Sequence, residues 1–88
     1  MKIKEGFLLR EIAGTQVVVP IGERVIEFKG MMTLNDHGLF VWNLLQNDCT
    51  FDEILNSILD EYDVDAPTAK DDLEEFLAHV RKNGALDE

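Results

Sequence analysis

The chain has 88 residues, 45% of them hydrophobic, and a formal net charge of −10. That length suits one domain over residues 1–88 with a single core, the composition argues against disorder, and no apolar run approaches the ~20 residues that cross a bilayer. Residues 35–88 carry fourteen acidic side chains against three basic ones, which disfavours nucleic acids and anionic membranes as partners and favours a neutral or basic peptide.

The first third of the chain is predicted to form strands. Residues 7–12 and 15–19 are apolar or β-branched runs, and Gly14 between them allows the positive φ of a tight hairpin turn. The proline after the second run lacks the N–H that a ladder needs, so that strand should end there. We place the third strand at about 30–34, with 25–28 as a lead-in strand.

The remainder is predicted to form three helices, the first of them over about 36–46. Each helix is preceded by a side chain that can accept a backbone N–H from the first turn. These capping residues are Asn35, Thr50 with Glu53, and Asp65. Gly84 is a typical left-handed stop for the third helix, with Leu86 folding back onto its last turn. The predicted fold is α+β, a three-stranded antiparallel sheet followed by a winged-helix-like cluster of three helices.

Few side chains in the sequence could carry catalysis, which needs titratable groups that converge. His37 and His79 lie on different predicted helices without a second histidine four residues on, so we assign them structural or solvated roles. Cys49 has no motif partner, and a lone thiol is incidental rather than nucleophilic. The carboxylates of residues 71–75 spread around the outer face of a helix. We therefore expect no enzymatic activity, no metal and no cofactor.

Eight different short motifs follow one another along nearly the whole chain. They are Phe7-x-x-Arg10, Val17-Val18-Val19, Leu34-Asn35 followed by Gly38, Val41-Trp42-x-Leu44-Leu45, Thr50-x-x-Glu53-Ile54, Tyr62-x-Val64, Asp72-Leu73-x-x-Phe76-Leu77 and Gly84-Ala85-Leu86. With these motifs the chain resembles the coenzyme PQQ synthesis protein D family (PqqD-like), also described as the peptide-recognition element of ribosomal peptide biosynthesis. One departure is the stretch 23–29, which is longer than in the shortest members.

The resemblance implies a fold of three strands and three helices, and a non-catalytic adaptor. The N-terminus lacks the apolar core of a secretory signal and the single cysteine allows no disulfide framework, so the cytoplasm is the expected location. Members of this family bind the N-terminal leader of a precursor peptide and present its core to a modifying enzyme, often a radical SAM maturase. The leader adds as a strand beside the third strand, with its side chains in a groove shared with the third helix. By position this implies the peptide-binding residues Met31, Met32, Thr33, Leu34, Ala69, Lys70, Leu73, Phe76 and Val80. Lys70 would contact an acidic leader side chain, and a homodimer is left open.

The residues themselves agree with strand addition. A three-stranded meander leaves two edges of unpaired backbone groups, and each invites another strand. The first strand's edge is guarded by Lys2, Lys4 and Arg10. The segment 31–34 carries no charge. Because side chains alternate along a strand, only one of Met31 and Met32 should face the core, which leaves the other for the groove.

Two other functions stay open at this point. A winged-helix transcription regulator needs a basic recognition helix, and neither the second nor the third predicted helix is basic. A contact module that joins two larger proteins without a peptide substrate would show the same composition. A gel shift at low salt separates the first alternative from leader capture, and a pull-down with neighbouring gene products separates the second.

Overall fold

The three strands of the main sheet and the three helices follow one another in the predicted order, and a short unpredicted strand lies at each end of the chain. The computed structural model describes residues 1–22 and 32–88. Its elements are β1 (Lys2–Ile3), β2 (Phe7–Ile12), β3 (Thr15–Pro20), β4 (Met32–Leu34), α1 (Asp36–Leu44), α2 (Phe51–Glu61), α3 (Ala66–Lys82) and β5 (Leu86–Asp87). The α+β fold with a three-stranded sheet and three helices is thereby confirmed. The lead-in strand predicted at 25–28 and the first part of the predicted third strand, Met31 included, lie outside the described residues.

The three-stranded sheet is antiparallel with the order β2-β3-β4. β2 and β3 form the predicted hairpin, and its two turn residues, Ala13 and Gly14, both have positive φ, at 52° and 80°. Two positive φ angles are the mark of the turn that best matches the twist of paired strands. The prediction for Gly14 is confirmed, whereas the left-handed conformation of Ala13 was not predicted, because alanine rarely adopts it.

The predicted helix caps are all present. The Asn35 side chain accepts the backbone N–H of Gly38 at 2.7 Å. Thr50 and Glu53 form the complete capping box, each side chain accepting the other residue's backbone N–H. The Asp65 side chain opens α3 by accepting the backbone N–H of Thr68. Local hydrogen bonds therefore set where the helices start, although α1 ends at Leu44, two residues before the predicted end.

A second, two-stranded sheet joins the two ends of the chain, and the sequence did not predict it. β1 pairs antiparallel with β5, with Ile3 opposite Leu86. The Ile3 N–H also donates to the Leu45 carbonyl at 2.8 Å, which ties the same strand to the end of α1. Strands of two residues show no hydrophobic period, and so the predicted return of Leu86 onto the helix was only part of its role.

The core lies between the inner face of the three-stranded sheet and the three helices. Its most buried side chains are Val18, Leu45, Ile54, Leu73 and Val80. On α3, the residues Leu73, Leu77 and Val80 are buried, whereas Phe76 stays partly exposed. None of the described helices combines the length and the apolar character that a membrane crossing requires.

Candidate functional site

β4 runs along the side of α3. The Asn83 side-chain nitrogen at the end of α3 lies 4.0 Å from the sulfur of Met32 at the start of β4. At the other end of the strand, a β-carbon placed on Gly38 would lie 3.6 Å from Leu34 and 3.1 Å from Phe76. These contacts place the strand and the helix side by side, with α1 closing the space where β4 ends.

β4 has one edge that no described strand covers. Within residues 1–22 and 32–88 it pairs with β3 alone, through Met32, Thr33 and Leu34. Met32 and Leu34 face the core with 2% and 6% of their surface exposed, and Thr33 points outward. Met32 is thus the inward-facing methionine of the predicted pair, and its side chain fills the core while its backbone stays in the edge strand.

A half-open cavity of about 360 Å³ begins where β4 ends. Asn35, the residue after β4, is part of its wall, and the three helices and the loop between α2 and α3 supply the remainder. Its apolar lining consists of Val41, Ile58, Val64, Ala69, Leu73 and Phe76. Its polar lining includes His37, Tyr62, Asp72, Glu75 and His79. The volume is within the range of roughly 300–1,000 Å³ that is usual for ligand cavities in proteins.

The predicted peptide-binding residues of α3 are divided by the structure. Ala69, Leu73 and Phe76 line the cavity together. Lys70 is exposed on the helix and is not part of the cavity wall. Val80 is fully buried in the core and is not among the residues that line the cavity. Peptide contact by each of these residues stays a prediction.

Several lining residues were not predicted from the sequence. His37 and His79, assigned there to structural or solvated roles, both line the cavity although they lie on different helices. The His37 ring packs edge-on against Tyr62 with ring centroids 4.4 Å apart, which holds the α1 start against the α2 end. On α3, the spacing of Asp72, Glu75 and His79 places them on one helix face, and that spacing was the available signal.

The polar part of the cavity is acidic. Within the described part of the chain, Asp72 and Glu75 form no ion pair, and no lysine or arginine of those residues lines the cavity. The nearest arginine along α3, Arg81, is instead bonded to Glu88. The helix α2 contains no lysine or arginine, which a basic recognition helix for DNA would require. A positively charged side chain is the complementary occupant of this part of the cavity.

The single cysteine of the chain does not line the cavity. Cys49 lies close in space to Met1, whose amino group donates to the Cys49 carbonyl. Partial burial of its side chain raises the pKa of the thiol, which keeps it protonated. No group of three or more histidine, cysteine, aspartate or glutamate side chains within residues 1–22 and 32–88 is arranged to hold a metal ion.

Residues 8–86 match the family described as coenzyme PQQ synthesis protein D (PqqD). The structure is similar to that of TbiB1 in complex with the TbiA(beta) leader peptide, with a TM-score of 0.78 and 28% identity over 99% of this chain and 95% of that chain. It is also similar to lasso peptide synthetase B1 complexed with the leader peptide, with a TM-score of 0.73 and 15% identity over 96% and 93% of the two chains. At that identity the second likeness shows the fold alone. No curated protein matches the chain in sequence.

Proposed function

Because the chain belongs to the coenzyme PQQ synthesis protein D family, we propose that it binds the leader of a ribosomally synthesised precursor peptide and presents that peptide to a modifying enzyme. The observation that carries this proposal is the uncovered edge of β4 beside α3. The likeness to TbiB1, a protein whose structure contains a leader peptide, extends over nearly the whole chain and supports the same function.

In the proposed binding mode the leader adds as a strand to β4. Backbone groups of residues 31–34 would supply the hydrogen bonds of the new ladder, and the alternate leader side chains would reach α3. On α3 the cavity is lined by the partly exposed Phe76 and by the buried Ala69 and Leu73, and we propose Phe76 as the main contact of the leader. Met31 belongs to this proposal by position and lies outside the described residues.

The proposed role is that of an adaptor without chemistry of its own. The partner enzyme, of which a radical SAM maturase is one kind, would supply the reaction, while this chain supplies peptide affinity. A precursor peptide meets its modifying enzyme before export, so we propose the cytoplasm as the place of action. This role requires no cofactor bound to the chain.

The test is amide hydrogen exchange followed by nuclear magnetic resonance. The probes are synthetic peptides from the short reading frames beside the gene, added to the isotope-labelled protein. Strand addition predicts new protection for amides among Met32–Leu34, because those N–H groups that face the open edge become bonded. The other edge strand, β2, is the internal control and should show no new protection.

Two results would contradict the proposal. If a peptide binds and protects β2 or the helices while Met32–Leu34 exchange as before, the peptide is held in another way. If none of the peptides binds saturably, leader capture itself is wrong.

A further inference from the structure

We propose that the cavity between the three helices selects leaders that carry a bulky apolar side chain with a lysine or arginine one or two residues away from it. The apolar side chain occupies the apolar wall around Leu73 and Phe76, and the cation pairs with Asp72 and Glu75. This inference rests on the proposed leader binding and deepens it, because it states what kind of leader the site selects.

The cavity continues the edge of β4. Asn35 follows directly after the strand and is part of the cavity wall. Phe76 lines the cavity and also packs within van der Waals reach of Gly38, beside Leu34. A peptide that pairs with β4 as a strand therefore enters the cavity where it passes the end of β4, because the edge of β4 and the cavity form one continuous surface.

The apolar wall suits one large side chain. Leu73 and Val41 are almost fully buried at its base, and Phe76 is partly exposed on its side. Filling this space removes apolar surface of both partners from water, which is the main source of affinity in such a site. A short or charged leader side chain in the same place would leave the apolar wall exposed to water.

The charge beside this wall selects a cation. Asp72 and Glu75 are three residues apart on α3 and project from the same helix face. Neither is neutralised by a lysine or arginine in the described part of the chain. Both carboxylates are exposed, so a cation on an incoming peptide can reach them from solvent, and the net charge of −10 adds to the attraction. The occupant with complementary chemistry is a basic residue near an apolar one.

The experiment is a selection from a display library of random peptides against the whole domain at pH 8. The peptides analysed are those whose synthetic, fluorescein-labelled forms protect Met32–Leu34 from amide exchange. We expect them to carry a lysine or arginine one or two residues from a bulky apolar residue. Replacing that cation by glutamate should weaken binding at low salt by about tenfold or more, the effect of roughly 1.4 kcal/mol.

Charge reversal in the protein supplies the control. In the double variant Asp72→Lys, Glu75→Lys the preference should turn to acidic leader residues, and the glutamate peptide should bind more tightly than the lysine peptide. The matched control is Asp71→Lys, Glu74→Lys, which makes the same change in net charge on exposed positions of α3 outside the cavity. Circular dichroism and thermal melts check that both variants fold.

Each remaining outcome overturns one of the proposals. Selected peptides that protect β4 but show no preference for charge overturn this inference and leave leader capture standing. The same holds if the Asp71, Glu74 control shifts the preference as strongly as the cavity variant does. If no selected peptide protects β4, both the inference and the proposed strand addition fall.

Discussion

Gly38 and Phe76 are packed so closely that a β-carbon on Gly38 would lie 3.1 Å from the ring carbon Cε1 of Phe76. The same β-carbon would lie 3.2 Å from the capping oxygen of Asn35. Glycine at this place in α1 therefore lets α1 and α3 approach each other at the mouth of the cavity. The Phe76 ring takes up the space that any larger residue would need, and it lies where we propose that the leader binds.

The variant Gly38→Ala should weaken peptide binding with little change in stability. Alanine favours a helix over glycine by roughly 0.5–1 kcal/mol, and the contact with Phe76 opposes that gain. The partly exposed ring can move away into the cavity, where a loss of about 1 kcal/mol of packing with the peptide raises the dissociation constant roughly fivefold. Fluorescence titration measures the affinity and urea unfolding measures the stability.

The control for Gly38→Ala is a second substitution that makes room. Adding Phe76→Leu to Gly38→Ala removes the ring atom nearest to the new methyl group. The loss of affinity in the double variant should therefore be smaller than the sum of the losses in the two single variants. Strictly additive effects would mean that the contact between these two residues does not govern the cavity.

Neighbouring residues of α3 should separate binding from stability. Leu77 is 3% exposed, so Leu77→Ala leaves a cavity in the core and lowers the free energy of unfolding by about 2–5 kcal/mol. Phe76→Ala should cost less stability, because its ring is partly in water already, yet it should weaken peptide binding more than Leu77→Ala does. Urea unfolding and titration of both variants with one peptide decide the matter. A Phe76→Ala variant with wild-type affinity would remove this residue from the proposed site.

The β2–β3 hairpin should become more stable when Ala13 is replaced by asparagine. Ala13 has φ of 52°, which asparagine tolerates better than alanine, and Asn-Gly is the preferred pair for this turn. We expect Ala13→Asn to raise the free energy of unfolding by about 0.5–1 kcal/mol and to leave peptide affinity unchanged. Gly14→Ala, at φ of 80°, is the opposite control and should destabilise. A destabilised Ala13→Asn variant would show that another turn geometry is present in solution.

Acid should weaken the cap of α3. Hydrogen bonds from the hydroxyl and the backbone N–H of Thr68 lower the pKa of Asp65. A folded-state pKa below the unfolded value of about 3.9 means that this stabilisation is complete above that pH and is lost as the pH falls through the lowered pKa. The stability difference between the wild type and Asp65→Ala should shrink over that range in urea unfolding series. Asp65→Asn, which caps without titrating, should keep a constant advantage over Asp65→Ala across the same series.

The sequence by itself determined the features that depend on neighbours in the chain. Asn35, Thr50 and Asp65 start their helices through hydrogen bonds that span three residues, so the residue type and its spacing were enough to predict them. The hairpin around Gly14 and the membership in the coenzyme PQQ synthesis protein D family were likewise readable from motifs in order, and both are confirmed.

Only the tertiary structure decided which side chains share a surface. The pairing of Ile3 with Leu86 joins the two ends of the chain, and no local period records it. His37 and His79 line one cavity because α1 and α3 pack face to face at Gly38. A helical period gives the relative angle of residues on one helix, whereas the angle at which two helices meet depends on the packing of all their contacts. For this reason the edge of β4 was predicted from the sequence, and the cavity that continues it was not.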